Sequence, residues 1–170
     1  MERTALSALG ALLDGLGIRW VLIGALAANR YRASPRLTQD VDLLLADSGP
    51  GIDALESGLR DAGWTVRRAS PDGELLRLRH PELGIADLMI AGTDYQREAM
   101  RRARRESTGE GTSANVLAPE DVIVHKLIAG RTQDLADIEA ILDAKVALDE
   151  AYIERWAAFW DVQEVWQGMR

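Results

Sequence analysis

The sequence predicts an α/β (α+β) fold, with a sheet domain followed by a helical part. Short apolar runs bounded by Gly, Pro and Asp are concentrated between residues 20 and 118. Segments with helical spacing are interleaved with them. From Pro119 onward the chain carries only helical patterns. The expected division is a sheet domain over 1–118 and a C-terminal helical part over 119–170, packed together as one unit.

Each element has a local reason. Leu6, Leu9, Leu13 and Leu16 recur at helical spacing and give an amphipathic first helix over 3–15, ended by Gly15 and Gly17. Residues 20–23 form a short buried strand that Gly24 interrupts, and a short helix follows over 25–32. Ser34-Pro35 marks a turn. A second strand over 40–46 closes in Asp47-Ser48-Gly49-Pro50-Gly51, and a helix over 52–62 stops at Gly63. Residues 64–68 and 74–79 form a strand pair around Pro71-Asp72-Gly73. After the turn at 81–84 comes a strand over 85–90, then a strongly basic helix over 94–105. The Gly109-Glu110-Gly111 loop leads to a short strand over 114–117. Pro119 opens a helix to residue 129 with Glu120 and Asp121 at its positive end. Helices over 133–144 and 149–160 complete the pattern.

Composition narrows the chemistry. The chain has 170 residues, 47% of them hydrophobic and 28% charged, which suits a globular domain with a real core. It has no cysteine, which excludes disulfides, thiolate nucleophiles and iron–sulfur clusters. His80 and His125 are its only histidines, so a three-histidine zinc site is excluded. A metal would have to be held by oxygen ligands, which favours magnesium or manganese. The longest apolar run covers nine residues, 20–28, where a membrane span needs about 20. No secretory cleavage pattern follows the first apolar stretch, so the expected location is the cytoplasm. The formal net charge of −7 is uneven. Residues 132–170 hold nine acids against three bases, and residues 1–131 hold 18 against 17. The sheet domain is therefore close to neutral.

The informative carboxylates lie on strands. Asp40 and Asp42 flank Val41, and alternation puts them on one side of a strand, about 7 Å apart. Two such charges repel, and a divalent cation removes that cost. Asp87 lies in the apolar strand Ile85-Ala86-Asp87-Leu88-Met89-Ile90, where a charge needs a partner. Converging, the three would hold one or two magnesium ions. Equally, Asp pairs occur at strand ends and helix caps, and an arginine would satisfy Asp87. In Val21-Leu22-Ile23-Gly24-Ala25 an apolar strand meets a glycine and then a helix start. That turn permits close approach of a ligand and offers unpaired N–H groups to a phosphate.

Strand, Gly24 turn, D-x-D strand and a later strand Asp together resemble the nucleotidyltransferase fold of the polymerase-beta type, with a mixed sheet and C-terminal helices. Arg36-x-Thr38-x-Asp40-x-Asp42-Leu43 is similar to the R-x-T-x-D-[IV]-D-L signature of the abortive-infection (AbiEii/MenA-like) nucleotidyltransferase toxins and their short relatives. Lys126, Arg131, Asp134 and Asp137, spaced K-x4-R-x2-D-x2-D, resemble that group's later motifs. The resemblance implies that Asp40, Asp42 and Asp87 bind Mg2+ (or Mn2+). Gly24, Ala25, Arg36, Thr38, Arg131 and Asp134 would bind the nucleotide, and Lys126 would contact its phosphates. The second turn position is often Ser or Gly in the family; Ala25 leaves only backbone donors there.

The remaining signals also have structural readings. Arg97, Arg101, Arg104 and Arg105 fall on one face of the basic helix, suited to a nucleic-acid backbone or to acidic neighbours. Asp134 and Asp137 also fit the first turn of a helix, and Lys126 a snorkelling helix C-terminus. Trp156, Trp160 and Trp166 suit packing of the helical part. The expected function is transfer of a nucleoside monophosphate from an NTP to the hydroxyl of a tRNA, a protein or a small molecule, with Asp87 able to take the proton. A toxin–antitoxin role would bring a cognate antitoxin or toxin as partner, and a homodimer is a further expectation. The competing expectation is a non-catalytic nucleotide- or partner-binding relative, antitoxin-like or degenerate.

Overall fold

A computed structural model of the chain describes residues 4–38, 40–46, 51–109 and 112–170. The strands are β1 (Trp20–Leu22), β2 (Val41–Leu45), β3 (Thr65–Arg68), β4 (Leu75–His80), β5 (Gly84–Ile90), β6 (Arg104–Gly109) and β7 (Thr112–Val116). The helices are α1 (Ala5–Gly15), α2 (Gly24–Ala28), α3 (Ile52–Asp61), α4 (Asp94–Arg102), α5 (Pro119–Ala129), α6 (Thr132–Asp143), α7 (Glu150–Phe159) and α8 (Gln163–Met169). Local chemistry sets several of their ends. The Thr4 hydroxyl accepts from the Ser7 N–H at 3.2 Å and starts α1, and Thr93 does the same for α4 through Gln96. Pro119 occupies the first turn of α5, and Gly130 ends it at φ 62°.

The sheet runs β3-β4-β5-β2-β1-β7-β6 and is mixed. β2 and β5 are parallel, as are β1 and β7; the remaining pairs are antiparallel. Leu43, Leu44 and Leu45 are all buried, so the central strand β2 is covered on both faces. With Leu9, Leu13, Leu22, Leu76, Leu78, Leu88, Ile123 and Ile138 they form one core. Among the described residues no helix is long and apolar enough to cross a membrane.

Four features depart from the sequence reading. The second helix, expected over 25–32, ends at Ala28, because the chain leaves it through tight turns to Arg30 and Tyr31. There the Tyr31 hydroxyl donates to the Leu117 carbonyl at 2.7 Å. The basic helix stops at Arg102: Ala103 is extended (ψ 143°), and residues 104–109 pair antiparallel with β7. Arg104 and Arg105 thus lie on an edge strand, and the four arginines share no helical face, because ladder bonds to β7 override local helix preference. A further helix, α8, was not expected; Asp161, at φ 57°, separates it from α7. Finally, Asp40 precedes β2 rather than opening it. The start of the first helix at residue 3, the turn at 47–50 and the loop at 110–111 lie outside the described residues.

Two buried charge clusters fasten the helices to one another and to the segment before β2. Arg102 of α4 donates to Glu120 at 2.9 Å and to Asp121 at 3.0 Å, and the Tyr152 hydroxyl of α7 donates to Asp121 at 2.6 Å. The second cluster centres on Asp137 of α6, whose side chain has no exposed surface. It accepts from Arg32, from Arg36 (Nε at 2.9 Å, Nη2 at 3.1 Å) and from Lys126 Nζ at 2.6 Å. Burial alone would raise this carboxyl, but the hydrogen bonds from Arg36 and Lys126 more than offset that and bring it down to about 2.

Asp137→Asn removes the counter-charge of three cations and is expected to cost about 3–5 kcal/mol in urea unfolding at neutral pH. Because the folded carboxyl titrates below its unfolded value, the wild-type contribution is full above about pH 4. It drains away as the pH falls toward 2, so the gap between wild type and variant should narrow over that range.

Candidate functional site

The site begins at the β1–α2 turn. Gly24 has a φ of 66°, and a Cβ built on it would lie 2.0 Å from Asp42 Oδ2. The Asp42 carboxylate therefore fills the space any other residue would need for its side chain. The Ile23 N–H donates to the Asp42 carbonyl at 2.9 Å, which fixes the turn against the start of β2.

The sheet register then extends the site sideways. Asp42 is directly opposite Asp87 in the parallel β2–β5 pair, and Asp87 is opposite Arg77 in the antiparallel β4–β5 pair. Residues in register share a face, so Arg77, Asp87 and Asp42 form one row across three strands. Arg77 grips Asp87 with a planar fork: Nε reaches Oδ1 at 2.9 Å and Nη2 reaches Oδ2 at 2.7 Å. Asp42 has no ion pair among the described residues. Burial, then the charges of Asp87 and Asp40, push its carboxyl up to about 6.

Helices α5 and α6 make the opposite wall. The resulting cleft, about 410 Å3, is lined by Gly24, Asp42, Arg77 and Asp87 on the sheet side and by His125, Lys126, Arg131 and Asp134 on the helix side. Lys126 is buried and bonds to Asp134 at 3.2 Å as well as to Asp137, while Arg131 Nε holds Asp134 at 2.6 Å. Burial opposes ionisation of Asp134, but the bonds from Arg131 and Lys126 keep its carboxyl below the usual range. Burial, reinforced by the Lys126 charge, lowers the His125 imidazole to about 4, so it is neutral at physiological pH. Its ring packs against Tyr95, with centroids 5.4 Å apart.

Of the residues singled out from the sequence, Gly24, Asp42, Asp87, Lys126, Arg131 and Asp134 meet in this cleft. The others lie elsewhere. Asp40 is exposed ahead of β2, and Ala25 is buried in the core layer. Arg36 is turned onto Asp137. Thr38 lines a separate cavity of about 590 Å3 together with Val41, on the reverse side of the strand. The sequence allowed an arginine partner for Asp87 but did not single out Arg77, which only cross-strand register brings to the site. It gave Asp137 no central place, and no local pattern shows that three cations converge there.

Among the described residues no three His, Cys, Asp or Glu side chains are gathered so as to hold a metal by themselves. The facing pair Asp42 and Asp87 nevertheless suits a hard cation, because Asp42 is half-buried with no ion pair among the described residues, and burial, then its acidic neighbours, raise its carboxyl. Magnesium is commonly held by one or two carboxylates together with the phosphates of a substrate. The residues thus fit a cation that arrives with an anionic ligand.

Gly24→Ala is expected to destabilise the protein by about 2–4 kcal/mol in thermal or urea unfolding, from positive φ and displacement of the Asp42 carboxylate. Asp42→Asn should act in the opposite direction. The wild-type carboxyl is raised on folding, so its cost is absent below about pH 4, grows up to about pH 6 and is complete above that. The variant should be more stable by about 2 kcal/mol at pH 8 and show no gain at pH 4.

No family model and no curated protein matches the sequence. Solved structures do match. ANT(2'')-Ia in complex with adenylyl-2''-tobramycin aligns with a TM-score of 0.60 at 17% identity, over 94% of this chain and 96% of that one. Lincomycin-bound LnuA, a lincosamide antibiotic adenylyltransferase, aligns with a TM-score of 0.57 at 13% identity, over 84% of this chain and 99% of that one. An antigenic nucleotidyltransferase-like protein from Paracoccidioides brasiliensis aligns with a TM-score of 0.52 at 22% identity, over 79% and 72%. With its mixed sheet, the Gly24 turn beside Asp42 and the helices α5–α8, this chain has the nucleotidyltransferase fold.

Proposed function

We propose that this chain is a nucleotidyltransferase that moves a nucleoside monophosphate from a nucleoside triphosphate to a hydroxyl of a small-molecule acceptor. The observation that carries this reading is the cleft itself: Asp42 and Asp87 in register, Gly24 packed on Asp42, and Lys126 and Arg131 on the facing wall. In the proposed reaction the acceptor oxygen bonds to the α-phosphorus. The bond from that phosphorus to the oxygen bridging to the β-phosphate breaks, and pyrophosphate leaves with the electron pair. The acceptor proton passes to a carboxylate oxygen of Asp87. Asp42 and Asp87, with Asp40 near Asp42 in sequence, would hold magnesium or manganese. That ion would supply charge neutralisation on the triphosphate and a lower hydroxyl pKa. Backbone N–H groups after Gly24 receive phosphate oxygens, and Lys126 and Arg131 offset the charge on the leaving pyrophosphate.

The antibiotic ligands of LnuA and ANT(2'')-Ia favour a small polyhydroxylated acceptor. The resemblance to abortive-infection toxins favours a tRNA or protein acceptor within a toxin–antitoxin pair. The division of the four arginines between α4 and β6 weakens the case for a nucleic-acid groove. One observation favours a second reading, nucleotide binding without transfer: Arg77 engages both oxygens of Asp87.

Incubation with each α-32P nucleoside triphosphate, magnesium and either a panel of polyhydroxylated antibiotics, tRNA or total protein decides among these. Label is expected on a small molecule, and Asp42→Ala should reduce its transfer roughly 100-fold or more. A thermal shift with a triphosphate but no transferred label would support the binding reading. No shift and no transfer with any of the four triphosphates would rule out both.

A further inference from the structure

We propose that Arg77 is a built-in counter-ion that closes Asp87 to a divalent cation, so that the carboxylate pair opens fully only when an anionic ligand draws the guanidinium away. The inference rests on reading the cleft as a cation-dependent nucleotide site.

Three observations lead to it. The guanidinium fork engages both carboxylate oxygens of Asp87, the same two atoms a cation would use, so guanidinium and cation compete for that carboxylate by geometry and by charge. Asp42, one strand away, has no such partner among the described residues, and the two facing carboxylates are therefore unequal. The Arg77 side chain is 51% exposed and lines the cleft, against 23% for Asp87. It therefore lies where an entering phosphate can reach it. No other acidic side chain among the described residues forms an ion pair with Arg77. A planar guanidinium binds phosphate with the same bidentate geometry that it uses on a carboxylate. Exchange of Asp87 for phosphate keeps Arg77 paired and leaves Asp87 accessible. By linkage, the anion and the cation then favour each other's binding. Arg77 acts here as a positioning residue: it sets when Asp87 is available.

The test is direct titration of Mn2+ by electron paramagnetic resonance, without nucleotide, on the full chain. Circular dichroism melts verify that each variant is folded. Arg77→Gln is expected to tighten Mn2+ binding about tenfold over wild type, by removing the competing fork and its charge. Arg77→Lys keeps the charge and loses the fork, so its affinity should fall between the two. Adding Asp87→Asn to Arg77→Gln should return the affinity to within about twofold of wild type, since the gain runs through Asp87. Equal Mn2+ affinity in wild type and Arg77→Gln would overturn the counter-ion proposal while leaving the cation site intact. A gain that survives Asp87→Asn, or Arg77→Lys behaving as wild type, would overturn the route through the Asp87 fork. Failure of every variant, Arg77→Gln included, to bind Mn2+ both alone and with inorganic pyrophosphate added would overturn the cation-site reading on which the proposal rests.

Discussion

A carboxylate with no exposed surface, Asp137, sets the terms for the rest of the molecule. A buried anion is tolerated only if it is surrounded by donors, and here Arg32 and Arg36 come from the segment before β2 while Lys126 comes from α5. Satisfying one charge therefore ties two distant stretches of chain to α6. The same tie positions the helical wall of the cleft, because Lys126 also holds Asp134, and Asp134 in turn orients Arg131. Side chains that face the cleft are thus supported from behind by bonds that are themselves buried.

On the sheet side the organising constraint is steric rather than electrostatic. Gly24 lacks a Cβ, and the Asp42 carboxylate occupies the space left open. A carboxylate held in this way is separated from solvent and lies beside two others in sequence or register, which accounts for its raised affinity for a proton. Its neighbour Asp87 is instead paired with Arg77. The cleft therefore presents one frustrated carboxylate and one satisfied carboxylate on the same face, opposite a wall of lysine and arginine. Such a surface sets negative charge on the sheet wall against positive charge on the helical wall.

Much of this was legible from residues in order. The D-x-D strand, the glycine turn, Pro119 at a helix start and the Gly130 stop are local signals, and each marks an element or turn close to where it is found. The basic helix was misread from residue 103 onward because its pattern of arginines is helical while its backbone is recruited into a ladder with β7. The helix after Gly24 was overextended because nothing in Asn29-Arg30-Tyr31 announces that the tyrosine hydroxyl will anchor on Leu117. Arg36 and Lys126 both carried signals of importance, yet the sequence could not say that both end on Asp137.

Taken alone, the sequence determined the alternation of strands and helices, the absence of thiol chemistry and the presence of strand carboxylates beside a glycine turn. These properties follow from side-chain spacing and residue type, which are local. Tertiary structure decided which charges meet. The register of β4 on β5 brings Arg77 to Asp87, and the packing of α6 brings Asp137 to three cations. Both depend on contacts between residues from ten to more than a hundred positions apart. Pairwise electrostatics falls off over a few ångströms in a folded protein, so its partners are fixed only once the chain has closed those distances.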